Sequence, residues 1–166
     1  HYQTRYQVVF HEYGHHADYF LNRKYGDGRR IKAFSETYKN GIFGKTVKKE
    51  ANKAIEEFAK RNQLISGNDI TSDKIKKAFC EHMKKELTWM QRADISDMFE
   101  PVMPESCAFP FGVGHGTGYW KARDNGKEAF AEMYSASVCN PESLEKIKRF
   151  FPESYQIFLE ILEVVK

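Results

Sequence analysis

The sequence predicts a mostly helical domain of the α+β class, with one small strand or hairpin element near residues 107–120. Three observations lead there. Apolar residues recur with the 3.6-residue period of a helix face, most plainly Val47, Ala51, Ala54, Ile55 and Phe58 among lysines and glutamates. The helical stretches stop at Asn40-Gly41, Pro101 and Asn140-Pro141, where helix-breaking residues fall. Residues 107–120, CAFPFGVGHGTGYW, set four glycines and a proline among alternating aromatics, the composition of a loop or irregular hairpin.

Taken in order, residues 1–5 read as a loose end and 6–24 as one helix closing near Gly26-Asp27-Gly28. The apolar run Tyr6-Gln7-Val8-Val9-Phe10 is expected to bury its start, with Ala17, Phe20 and Leu21 continuing that side. Gly14 costs about 1 kcal/mol inside a helix, which a close approach of another backbone or a substrate would explain. Arg29 to Asn40 forms a short helix, and 45–61 an amphipathic one. Gly67-Asn68-Asp69 is a turn. Thr71 or Ser72 caps the next helix, which carries Ile75, Phe79, His82, Met83 and Leu87 on one side. The segment 93–99 is a further helical piece. Asp124 or Asn125 opens a helix through Ser137. Asn140 caps another, with Pro141 at its first position, and a last helix runs from Pro152 to about Val165.

The 166 residues suffice for one domain with a core. A net charge of +3, from 26 basic and 23 acidic residues, gives no reason to expect nucleic acid. No stretch approaches a transmembrane length and no signal peptide opens the chain, so no membrane partner is expected. Cys80, Cys107 and Cys139 are odd in number and form no CxxC, which favours free thiols in a reducing compartment over a disulfide scaffold. The start, ten residues before the first motif, suggests a domain cut from a longer protein.

The chemistry concentrates in His11-Glu12-Tyr13-Gly14-His15, which reads H-E-x-x-H. On a helix, His11 and His15 project from one face and can share one zinc ion, with Glu12 beside them as a base for a water. His16 points away from that face. Asp18, three residues on, is a candidate partner for an imidazole. A catalytic zinc usually has three protein ligands. Glu128 and Glu132 are four apart on an apolar helix, where a carboxylate pair is expensive unless it meets a cation or donors. Zinc would polarise a scissile carbonyl and acidify a water, Glu12 would move the proton, and Tyr119 or His115, with Tyr134 behind them, would steady the oxyanion. A hairpin at 107–120 would offer an edge to an extended peptide.

At these residues the chain resembles the zincin metallopeptidases whose third ligand is glutamate, in the branch of anthrax lethal factor and the Pro-Pro endopeptidases. There a helix with H-E-x-G-H is followed by one with E-x-F-A-E, spelled here His11 to His15 and Glu128-Ala129-Phe130-Ala131-Glu132. The resemblance implies a zincin-like fold, a zinc cofactor, Glu128 as third ligand with Glu132 in its surroundings, and a peptide or protein substrate. The family's oxyanion tyrosine, seven residues before the ligand glutamate, is Lys121 here, and Tyr119 stands in for it. The long interval between the motifs makes 41–100 a helical insertion within a single domain, 1–166. The segments 93–99, Gly114-His115-Gly116, Tyr119-Trp120 and Lys127 to Phe130 also look like C-terminal domains of phage minor head proteins. That likeness implies a head-associated parent chain and a cytoplasmic or virion setting rather than secretion. The competing expectation is an inactive zinc-binding structural or interaction domain of a phage or prophage protein.

Overall fold

A computed structural model of the chain describes residues 2–27, 32–64 and 72–164. The turn at Gly67-Asn68-Asp69, the Thr71 cap, Gly28, residues 29–31 of the predicted short helix and Val165 lie outside the described residues.

Among the described residues eight α-helices follow one another: α1 (Tyr2–Tyr25), α2 (Phe34–Thr37), α3 (Ile42–Arg61), α4 (Asp73–Glu86), α5 (Trp89–Phe99), α6 (Gly126–Cys139), α7 (Pro141–Phe150) and α8 (Pro152–Glu163). Single 3-10 turns occupy Tyr38–Asn40, Glu100–Val102 and Thr117–Ala122. Among the described residues there is no strand, so the α+β expectation is overturned: the fold is all-α. The hairpin fails at 107–120 because Gly112, Gly114 and Gly116 all turn the backbone to positive φ. The loop's N–H groups also go elsewhere than to a partner strand. His115 N donates to Asp97 and Gly116 N to Glu100, while Thr117 N closes the base of the loop on the Ala108 carbonyl, nine residues back.

The sequence dictates most boundaries through local chemistry. Gly41 adopts φ 71° and separates the 3-10 turn from α3. Ser72 Oγ accepts from Ile75 N to cap α4, and Thr88 with Gln91 forms a reciprocal capping box on α5. Asn140 Oδ1 accepts from Ser143 N at 3.3 Å, with Pro141 at the first position of α7, as the sequence predicts. The start of α8 is capped from a distance. Buried Glu50 on α3 accepts from Glu153 N, Ser154 N and Ser154 Oγ at 2.6–2.9 Å. An anion there meets the positive end of the helix.

α6 is the central rod. It packs on α1, α2, α3, α5, α7 and α8, and its buried residues run round its circumference rather than along one stripe. Beyond it, Phe99 gathers the aromatic core, with Phe79, Phe111, Phe150 and Phe151 at ring distances of 4.9–5.8 Å. Phe130 of α6 meets Phe158 of α8 at 5.1 Å.

α1 departs from its expected packing twice. It begins at Tyr2, where the sequence suggests a loose end. Its apolar run also faces out: Tyr6, Val8 and Val9 are 56 %, 59 % and 47 % exposed. The buried stripe is instead Gln7, Gly14, Asp18, Leu21 and Asn22. Polar groups take that side because neighbouring helices supply their partners. Gln7 Nε2 donates to Asp94 of α5, which also accepts from Asn140 Nδ2 at 2.6 Å, and the Gln7 carbonyl accepts from Ser135 Oγ at 3.0 Å. Among the described residues no helix is long and apolar enough to cross a membrane.

Candidate metal centre

The site begins with a missing side chain. A Cβ on Gly14 would stand 2.8 Å from the Ala131 Cα, so α1 and α6 touch almost backbone to backbone at this point. The close approach expected of Gly14 is therefore to another helix. It sets His11 and His15 of α1, three residues before Gly14 and one after it, against Glu128 and Glu132 of α6, three before Ala131 and one after it.

The result is a compact triangle. His11 Nε2 and His15 Nε2 are 3.1 Å apart, and Glu128 Oε2 lies 3.4 Å from the first and 3.0 Å from the second. A tetrahedral zinc with bonds of about 2.0–2.1 Å spaces its ligand atoms roughly 3.3 Å apart. Glu128 is buried, and its Oε2 accepts no hydrogen bond. A buried carboxylate oxygen left without a donor, facing two ring nitrogens, is costly in a protein alone and natural around a cation. His11, His15 and Glu128 thus form a cluster able to hold a metal ion. Burial alone would raise the Glu128 carboxyl, but the facing His11 and His15 rings and the hydrogen bond from Tyr119 outweigh it and hold the group well below the usual carboxylate range.

Glu132 completes the arrangement. Its Oε1 lies 3.3 Å from His11 Nδ1, so a proton on that nitrogen leaves Nε2 free to coordinate. Burial opposes a charged His11, yet Glu128 and Glu132 push it up to about 11. Burial pushes the Glu132 carboxyl up. Tyr119, on the 3-10 turn, donates its hydroxyl to Glu128 Oε1 at 2.7 Å. Lys127 Nζ stands 3.6 Å from the same oxygen. Lys121, at the position where the resemblance puts a tyrosine, pairs instead with Glu105 at 2.9 Å.

His115 stacks on Tyr119, ring centroids 4.2 Å apart, and its Nδ1 lies 2.5 Å from Asp97 Oδ2. The hydrogen bond to Asp97 raises His115 above its ordinary value of 6.5, against the effect of burial. Asp97, His115 and Glu128 form a second, overlapping group of metal-ligating side chains. Glu12 is exposed and lines a cleft of about 310 Å³ together with His11, Glu132, Asp97 and His115.

Two expected residues lie elsewhere. Asp18 is buried, but Ser35 takes both its oxygens, through N at 2.8 Å and Oγ at 2.5 Å, while His15 Nδ1 has no hydrogen-bond partner. Asp18 therefore ties α1 to α2 rather than orienting an imidazole, and burial pushes its carboxyl up to about 7. Tyr134 stacks on Phe130 at 6.5 Å. His16 is exposed, and the His82 ring lies tilted against Phe58, centroids 5.1 Å apart, away from the site. Cys80, Cys107 and Cys139 are free thiols.

Asp97 and Glu100 are the residues that motif reading passes over. Glu100 Oε2 accepts from Gly116 N at 2.8 Å and Trp120 Nε1 at 3.1 Å, so the two acids together hold the loop that delivers His115 and Tyr119. Comparison with protein-family models, curated proteins and solved structures finds no match to this chain.

Proposed function

We propose that the chain is a zinc-dependent endopeptidase. The observation that carries the reading is the triangle of His11 Nε2, His15 Nε2 and Glu128 Oε2, with edges of 3.0–3.4 Å, at the side of an open cleft. Two imidazoles and one carboxylate suit zinc better than magnesium or calcium, which prefer all-oxygen shells. When bound, zinc supplies Lewis acidity, lowering the pKa of a water and polarising a carbonyl.

The chain's own residues do the remaining work. Glu12, exposed at the cleft, takes the proton of the attacking water as its oxygen adds to the scissile carbonyl carbon. The same carboxyl returns that proton to the amine as the C–N bond breaks. Tyr119 positions Glu128 through its hydroxyl and is one donor for the developing oxyanion. His115, its Nδ1 held by Asp97, presents the other ring nitrogen as the second donor. Glu132 fixes the ring of His11.

A second reading keeps the metal and omits turnover: an inactive zinc-binding structural or interaction domain. It draws support from how fully the two candidate donors are engaged, Tyr119 by Glu128 and His115 by Asp97. One pair of measurements separates the two. Untagged protein analysed by inductively coupled plasma mass spectrometry should carry near-stoichiometric zinc, sharply reduced in Glu128→Ala. A peptide library should then be cleaved by the wild type and roughly 10²–10⁴-fold more slowly by Glu12→Gln. Zinc without cleavage selects the structural domain. No zinc after reconstitution overturns both.

A further inference from the structure

A second cavity shares no residue with the metal cleft. It opens between the end of α3, the second half of α4 and the end of α7, with a volume of about 260 Å³. Its floor is apolar. Phe58, Phe79, Met83 and Leu87 are buried there, Phe58 and Phe79 edge to face at 5.5 Å, and half-buried Phe150 forms one side. Phe79 and Phe150 both rest on Phe99 of the aromatic core, at 5.2 and 5.7 Å, so the floor is braced from behind. Water against such a surface is readily displaced by an apolar group of matching size.

The mouth of this cavity is basic. Arg61 of α3 and Lys146 and Arg149 of α7 line it, against one carboxylate, Glu86, and one imidazole, His82. Cations in the last turn of a helix ordinarily complement its dipole or pair with an acid one turn back. Lys60 and Lys148 do the second, with Glu56 at 2.5 Å and Glu145 at 2.8 Å. Their neighbours do not: among the described residues neither Arg61, Arg149 nor Lys146 forms an ion pair. Arg149 also borders a smaller hollow beside Glu50 and Glu57 but pairs with neither, and Glu50 is engaged at the start of α8. The Arg149 guanidinium instead lies over the Phe150 ring at 5.5 Å, which holds it at the rim. Three like charges over one apolar hollow repel one another, and Glu86 offsets only one of them. An anion offsets the rest while leaving its apolar part on the floor. A guanidinium fork can meet a carboxylate through two parallel hydrogen bonds.

We infer that this cavity binds a small amphipathic anion: an aromatic or branched apolar body resting on Phe58, Phe79 and Met83, with its carboxylate held among Arg61, Lys146 and Arg149. The volume, just under the common range for ligand pockets, limits the body to about one ring. The site is independent of the metal group, and its test needs no turnover. The wild-type chain is titrated by calorimetry with phenylbutyrate, with its neutral amide and with acetate. Phenylbutyrate should bind one to one and at least roughly tenfold more tightly than either, since the amide lacks the charge and acetate lacks the body. The double variant Arg61→Gln/Arg149→Gln changes two exposed side chains that form no ion pair. It should lose at least roughly tenfold in affinity for phenylbutyrate while its circular dichroism stays unchanged. Equal affinity for phenylbutyrate and its amide overturns the inference. Full affinity in the double variant does so too, and puts the carboxylate elsewhere, at the metal included. Absence of saturable phenylbutyrate binding up to about 10 mM, weaker than a ligand of this size gains from a matched pocket, also overturns it.

Discussion

Two histidine–carboxylate groups stand side by side in this molecule, and they are finished to different degrees. In one, Asp97 and His115 satisfy each other: ring nitrogen and carboxylate are 2.5 Å apart, and the second Asp97 oxygen accepts His115 N. In the other, His11, His15 and Glu128 converge at 3.0–3.4 Å, yet Glu128 Oε2 and His15 Nδ1 remain buried without a hydrogen bond. The first pair needs only a proton between its members. The second leaves donor atoms pointing at a common centre, an arrangement that a cation satisfies and a proton satisfies only in part. The same residue types therefore serve two ends, and what separates them is which lone pairs the surrounding helices leave unused.

Substitutions that strike one group at a time test that contrast. The largest effect is expected from Glu132→Gln. An amide at this position orients His11 less firmly, and zinc affinity should fall roughly 10- to 100-fold in a competitive chelator titration. An unchanged affinity would remove Glu132 from the metal group. Asp97→Asn should leave zinc content alone and slow peptide cleavage about tenfold, less than the 10²–10³ typical of losing a whole oxyanion donor. It should also move the alkaline limb of the pH–rate profile. Asp97 raises His115 above 6.5, so the ring stays protonated to higher pH in the wild type. The stability this contributes is complete below the unfolded value and disappears as pH rises through the folded one. Without the carboxylate both changes fall at lower pH. Loss of zinc in Asp97→Asn would make the second group a metal site after all. The smallest effect is expected from Gly14→Ala. Alanine is normally better than glycine in a helix by about 1 kcal/mol. Here its methyl would meet the Ala131 main chain at 2.8 Å, so a net loss of about 1–2 kcal/mol should appear in thermal unfolding. Stabilisation instead would show that the helices have room to part.

Much of the metal group was legible in the chain. The four-residue spacing in His11/His15 and in Glu128/Glu132 places each pair on one helix face, and Gly14 announces the close contact between the two helices. The helix boundaries at Gly41 and Asn140-Pro141 follow from local chemistry in the same way. The strand expected near 107–120 did not form, because alternation of aromatics carries no information about φ at the glycines between them. The orientation of α1 was misread for a related reason. Counting apolar residues ranks Tyr6, Val8 and Val9 above Gln7, but Asp94, Asn140 and Ser135 lie far along the chain and make Gln7 the residue to bury. Asp18 likewise met Ser35 before any imidazole. Asp94, Asp97 and Glu100, spaced by three, were within reach of the reasoning applied to Glu128 and Glu132. Carboxylates recurring on the inner side of an apolar segment need donors, and the glycine-rich loop supplies them for Asp97 and Glu100.

The contact between Gly14 and Ala131 has a further bearing on how the site behaves in time. Two rods that meet through their main chains cannot slide or roll without a collision, whereas rods separated by long side chains have slack to take up. The spacing of the histidines and the glutamate is therefore inherited from backbone stereochemistry and is already in place before any ion arrives. Such a socket is loaded and emptied with little rearrangement of the surrounding chain. Chelation should leave the helical content as it was, and cobalt should enter the same seat and report on it through its visible absorption.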